Sequence, residues 1–201
     1  MRKRLYKSIL ATALVAILCV SGAGVKSQGF YSDVQAMALD TTHIEGLEDN
    51  CVVESVASTN SYSELRQQMV DLINQTRAEA GLGALTLDDQ LSDAATYRGV
   101  HMEANGYFSH YYNKKAMPTQ AVDAFGIPHN GIGENIYRFN TDGDPVTAYG
   151  LDWIVSYAHG ELCNSPGHYA NIVNSNFTSV GIGIYITPDT SRMYITQIFK
   201  Y

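Results

Sequence analysis

The sequence predicts an α+β fold in which helices pack on a small antiparallel sheet, and three observations predict it. Two stretches with helical periodicity come first, over residues 61–80 and 88–105. Two alternating stretches close the chain, Val180 to Ile186 and Met193 to Phe199, joined by a Pro188-Asp189-Thr190-Ser191 turn. Between these halves lies a region rich in Gly, Asn, Tyr and Pro. Helices first and sheet last is the order of an α+β domain.

Before the first helix, Arg2, Lys3, Arg4 and Lys7 precede an apolar run from Ile9 to Val20, the pattern of a secretory signal. Ser21-Gly22-Ala23 offers a cleavage site, preferred over Ala36-Met37-Ala38 because it lies nearer the run. The expected organisation is therefore a signal at 1–23, an irregular linker at 24–60 and one domain at 61–201. An uncleaved anchor is the alternative, although the run is shorter than the roughly 20 residues a bilayer crossing needs.

The first helix should start at Ser61-Tyr62-Ser63-Glu64, which has capping-box spacing. Leu65, Met69, Leu72, Ile73, Thr76 and Ala80 then mark one face, and Gly81 stops it. The second should run from Asp88 to Asn105, with Leu91, Ala94, Ala95, Arg98 and Met102 on or near the buried side. Residues 107–145 read as mostly irregular, and so long a loop is more often a functional surface than filler. A third helix is expected from Pro145 to about Tyr157, turning Val146, Tyr149, Trp153 and Ile154 to the core. A short fourth begins at Ser165-Pro166, with Ser165 as cap and Pro at the first helical position. Tyr169, Ile172 and Val173 would anchor it. In the strand that follows, Gly181 and Gly183 leave one face bare, which admits a close neighbour.

Without residues 1–26 the chain carries eight basic and twenty acidic side chains, a net charge of −12. That excludes a nucleic-acid binder, since phosphate neutralisation needs a basic face. Contact with a membrane is expected only if the signal stays uncleaved, and the protein is expected to be a monomer. Two cysteines follow the signal, Cys51 and Cys163. In an oxidising compartment the plain reading is a disulfide between them, and the sharper one is a free nucleophilic Cys163.

His168 stands in the first turn of its helix, where the dipole disfavours a second positive charge. A neutral imidazole there has a lone pair to offer as ligand or base. The plainer reading is a histidine held by hydrogen bonds, and the same choice applies to His110. His101, His129 and His159 read as surface or packing histidines, and His43 lies in the linker. Ser109, Ser156 and Ser165 are the serines that could serve a serine–histidine–glutamate triad, but no sharp glycine-flanked nucleophile turn accompanies them.

Phe108-Ser109-His110, Gly133-Glu134-Asn135-Ile136 and Ser165-Pro166-Gly167-His168 occur in one order. Asn74-x-x-Arg77 and the Leu82 to Leu87 turn precede them, and Val180-Gly181-Ile182-Gly183 follows. Over residues 61–201 this ordered set resembles the CAP superfamily: the cysteine-rich secretory, antigen 5 and pathogenesis-related 1 proteins, also called SCP-like. The resemblance implies an α-β-α sandwich with a cavity that holds two histidines and acidic residues, able in several members to bind a divalent ion such as zinc. By position His110 and His168 match the histidine pair and Glu134 the first acid. The second glutamate of the full set, three residues after the tryptophan, is replaced here by Ser156.

Two imidazoles and a carboxylate are a sound three-ligand set for zinc. A mechanism needing a second carboxylate as base would require Glu161. Glu134 has an alternative task, accepting backbone N–H bonds within its own loop, and Asn135 reads as a loop tie. The expected protein is secreted and binds a divalent metal or small ligand through His110, Glu134 and His168. It would act at the cell wall or extracellular surface, with a cell-wall component or lipid as candidate partner. The alternatives are a metal-dependent hydrolase of peptide or cell-wall substrates, and a lipid- or sterol-binding protein.

Overall fold

The computed structural model describes residues 59–140 and 149–201. The signal, most of the linker, Cys51 and the start expected for the third helix lie outside them. Along the described chain the elements are α1 (Thr59–Glu79), β1 (Thr86–Leu87), α2 (Asp89–Ala104), β2 (Tyr111–Tyr112), β3 (Lys115–Ala116) and α3 (Met117–Ala124). They continue with β4 (Ile132–Asn140), α4 (Leu151–Asn164), α5 (Pro166–Ile172), β5 (Ser179–Ile186) and β6 (Arg192–Lys200).

The main sheet has the order β1-β5-β6-β4. Its three long strands are antiparallel, as expected, and β1 adds a two-residue parallel pairing to β5 at one edge. Helix α2 lies on one face, and α1, α4 and α5 lie on the other, which is the α-β-α sandwich. The faces divide by strand alternation. Ile195 and Phe199 join the larger core with Leu65, Met69, Ile73, Ile154 and Leu162, while Tyr194 and Ile198 pack toward α2.

The bare face of β5 has the neighbour the glycines imply. A Cβ on Gly181 would fall 2.3 Å from the carbonyl carbon of Leu91, and one on Gly183 would fall 2.2 Å from that of Ala95. Helix α2 therefore rides directly on the strand. Ser92 uses the closeness, its Oγ accepting from the Ile182 N–H at 3.0 Å. All five residues expected on the buried side of α2 are buried, Arg98 included, and Asp88 caps the helix by accepting from Leu91 N–H.

Four expectations need correction. Region 107–145 is not mostly irregular: it holds the β2–β3 hairpin, α3 and nine-residue β4. The strand escaped notice because Glu134 and Asn135 are buried in it, so its pattern of apolar residues is broken by polar ones. Helix α1 begins two residues before Ser61, which places the supposed capping box inside its first turn. Helix α4 runs on to Asn164, and Trp153 is 44% exposed rather than core, its ring stacked between Tyr149 and Tyr157 at 4.9 Å from each. Ser165 occupies the N-cap of α5 without a side-chain cap bond, and of the three expected anchors only Ile172 is fully buried. Among the described residues no helix is long and apolar enough to cross a membrane.

Candidate functional site

Strand β4 lies at the outer edge of the sheet, and the three expected site residues meet around it. Glu134 faces α2. There Arg98, fully buried, donates from Nε to Glu134 Oε1 at 2.6 Å. Its other nitrogens go to the Tyr107 hydroxyl at 2.8 Å and the Ser109 carbonyl at 2.9 Å. The Ser109 bond ties down the loop that carries the next residue, His110. His110 Nδ1 then lies 2.7 Å from Glu134 Oε2. A carboxylate only accepts, so Nδ1 carries a proton, and in the neutral ring the lone pair sits on Nε2.

His168 arrives from the opposite layer, on α5. Its carbonyl accepts from Asn135 Nδ2 at 3.0 Å, and the same Nδ2 donates to Gln197 Oε1 at 2.9 Å. Asn171, one turn along α5, donates to Asn135 Oδ1 at 2.8 Å and to the Glu134 carbonyl at 3.2 Å. Asn135 is thus a tie between α5 and the sheet, in keeping with its reading as a structural residue. Gly133 makes room for this docking, since a Cβ there would lie 2.9 Å from Asn171 Oδ1.

The two rings meet at a centroid distance of 6.3 Å with their planes tilted by 62°. Burial first, and the neighbouring His110 second, lower the His168 pKa below the ordinary histidine value. Both effects favour the neutral imidazole, and they come from burial and from His110 rather than from the helix dipole that its position at a helix start suggested.

The buried Arg98–Glu134 pair was not found from sequence as part of the site. The signal was an arginine on the apolar face of a helix, a position where a charge persists only if paired. Behind it, Tyr107 hydroxyl lies 2.7 Å from His101 Nδ1, and the His101 ring is packed among Tyr97, Tyr107 and Tyr112. His101 is thus a packing residue, as are His159, buried beside Thr76, and His129, beside Asp123.

Two of the candidate serines are otherwise engaged. Ser109 Oγ accepts the Tyr111 N–H, and Ser156 Oγ donates to the Asp152 carbonyl while accepting from Gln68. Glu161 is exposed on α4. Among the described residues Cys163 has no disulfide partner; its half-buried sulfur lies 3.4 Å from His159 Nε2, and burial raises the thiol pKa, so the unpaired form is thiol and imidazole rather than an activated thiolate. Among the described residues no three or more His, Cys, Asp and Glu side chains are grouped to hold a metal ion.

A three-layer α-β-α domain with an edge site of two histidines and a glutamate defines a class of protein. Comparison with known proteins agrees: the chain belongs to the cysteine-rich secretory protein family, CAP, whose model matches residues 70–199. It is 30% identical over 129 residues to the uncharacterized protein YkwD of Bacillus subtilis, a match spanning 64% of this chain and 46% of that one. The crystal structure of an extracellular SCP-domain protein from Bacillus anthracis superimposes with a TM-score of 0.55 at 28% identity, over 69% of this chain and 40% of that one. An outer surface protein of Borrelia burgdorferi shares the fold at 18% identity and TM-score 0.55, over 73% of this chain and 96% of its own. The chain thus spans under half the length of the two Bacillus proteins.

Proposed function

We propose that this is an exported CAP-domain binding protein whose paired imidazoles, His110 and His168, take a divalent transition-metal ion, zinc first, or a small polar ligand at the cell wall or extracellular surface. One observation carries the reading. Two imidazoles from different layers face each other, and one of them is held in a single tautomer by a buried carboxylate that is itself held by a buried guanidinium. Carboxylate-to-histidine hydrogen bonding is the usual outer arrangement of a histidine that binds metal, because it fixes the ring and raises its basicity.

The donor set fits zinc with two protein nitrogens. At a bond of about 2.0 to 2.1 Å, two imidazoles on one tetrahedral ion have centroids roughly 5 Å apart. The observed 6.3 Å therefore requires a closure of about 1 Å on binding. Glu134, with its oxygens engaged by Arg98 and His110, serves as the orienting group rather than the third ligand, and solvent completes the sphere. Zinc bound there would supply Lewis acidity. The absence of a second acid at Ser156 and the engagement of Glu134 favour binding over hydrolysis. Export by the signal, and a Cys51–Cys163 disulfide formed afterwards, complete the proposal.

Zinc titration by calorimetry tests it. The protein should give a saturable heat that disappears in the His110→Ala, His168→Ala double variant and weakens about 10- to 100-fold in Glu134→Gln. Equal heats in protein and double variant would remove the metal reading.

A further inference from the structure

The outer edge of β4 has unused hydrogen-bonding capacity beside the histidine pair. Backbone groups in a strand point alternately to its two sides. Tyr201 exchanges bonds with Gly131 and Asn130, and the register continues without a bulge from Ile132 opposite Lys200 to Asn140 opposite Arg192. The odd-numbered residues Gly133 to Phe139 therefore bond β6, and the even-numbered ones point outward. Asn171 agrees with this by reaching the Glu134 carbonyl from outside. Among the described residues no backbone group bonds the outward N–H and C=O of Ile136 or Arg138. A nine-residue regular edge is a liability unless it is blunted or used.

The side chains flanking this edge differ on its two faces. On the α4 face Tyr137 and Phe139 meet Trp153 and Tyr157, both more than 40% exposed. On the α2 face the Arg138 guanidinium lies 4.9 Å over the ring of exposed Phe108. The Arg138 guanidinium is bonded to the Tyr194 hydroxyl, which in turn donates to Glu103 at 2.6 Å, but Arg138 Nε is buried without a hydrogen-bond partner. Burial, then the neighbouring Tyr157 and Glu161, raise the Tyr137 pKa, in keeping with an apolar α4 face.

We propose that the β4 edge is a docking strand for an extended peptide of another polypeptide. Added as a fifth strand, the peptide bonds Ile136 and Arg138 through its backbone. Its alternate side chains are acidic where they face Arg138 and apolar where they face Tyr137, Phe139, Trp153 and Tyr157. The span from Arg138 to Glu134 is about 14 Å at strand rise, so a peptide held there reaches His110 and His168 with its next residues. This names the ligand class of the site and rests on the reading above for the role of the histidines, although the docking itself does not need metal.

The probe is an end-blocked octapeptide alternating valine and aspartate, added to the protein in a metal chelator. Amide exchange at Ile136 and Arg138 should slow at least about tenfold, while Tyr137 and Phe139, already bonded to β6, stay unchanged. The same octapeptide N-methylated on its bonding edge should bind at least about tenfold more weakly, and Arg138→Glu should weaken the unmethylated probe by a similar factor. Equal binding of the methylated peptide, or no added protection at Ile136 and Arg138, would overturn the proposal. So would oleate alone perturbing Trp153 and Tyr157 while the octapeptide has no effect, which would assign the face to a lipid. Because chelator is present, failure here is separable from failure of the zinc titration.

Discussion

Replacing Arg98 by Met keeps most of the aliphatic stem and removes the guanidinium on which the site is built. Three partners lose a donor: Glu134, Tyr107 and the Ser109 carbonyl. Tyr107 keeps its bond to His101, and Glu134 keeps His110, but the buried carboxylate loses the guanidinium that neutralises it. Removing one partner of a buried pair costs about 3 to 5 kcal/mol, because the remaining charge is desolvated without compensation. An orphaned carbonyl adds about 1 kcal/mol. Against a total of roughly 5 to 15 kcal/mol, that is a large loss, readable as a fall in Tm of about 10 °C or more. Urea unfolding at pH 7 measures it directly. The control is Arg98→Met with Glu134→Leu, which removes both charges and should recover most of the loss. A single-variant cost below about 1 kcal/mol, or a double variant no more stable than the single, would refute the assignment of Arg98 and Glu134 as a mutually dependent pair.

Gly183→Ala should destabilise by about 3 kcal/mol, since its Cβ would meet helix backbone rather than a movable side chain; a thermal melt near that of the parent would show that α2 can lift without cost. Burial lowers the His159 pKa, so the unfolded chain binds a proton first as pH falls. Stability should therefore be complete above about pH 7 and decline from about pH 6.5 down to the folded-state pKa, with a slope of at most about 1.4 kcal/mol per pH unit from this group. Denaturant unfolding at several pH values, with His159→Asn as the comparison, checks it; an identical slope in the variant would rule the group out. Where Cys163 is unpaired, its raised pKa should make alkylation at pH 7 slower than that of a free-cysteine peptide, and a faster rate would contradict the neutral thiol–imidazole pair.

Much of the fold was legible in the sequence because it depends on local patterns. The apolar faces of α1 and α2 follow helical spacing, and the glycines of β5 announced a close helix before its identity was known. Strand β4 was not legible, because its Glu134 and Asn135 belong to a polar network inside the domain, and pattern reading takes polar residues for exposed ones. Trp153 failed for the opposite reason: an aromatic ring at helical spacing reads as core, yet here it stacks on Tyr149 and Tyr157 at the surface. Residues of the candidate site could be named from ordered motifs. By itself the sequence determined which side chains were available, and that His168 would stand at a helix start. Only the tertiary structure decided that His110 and His168 meet around an edge strand, and that Arg98 occupies Glu134. Those facts rest on contacts between segments 24 and more residues apart, which no local periodicity encodes.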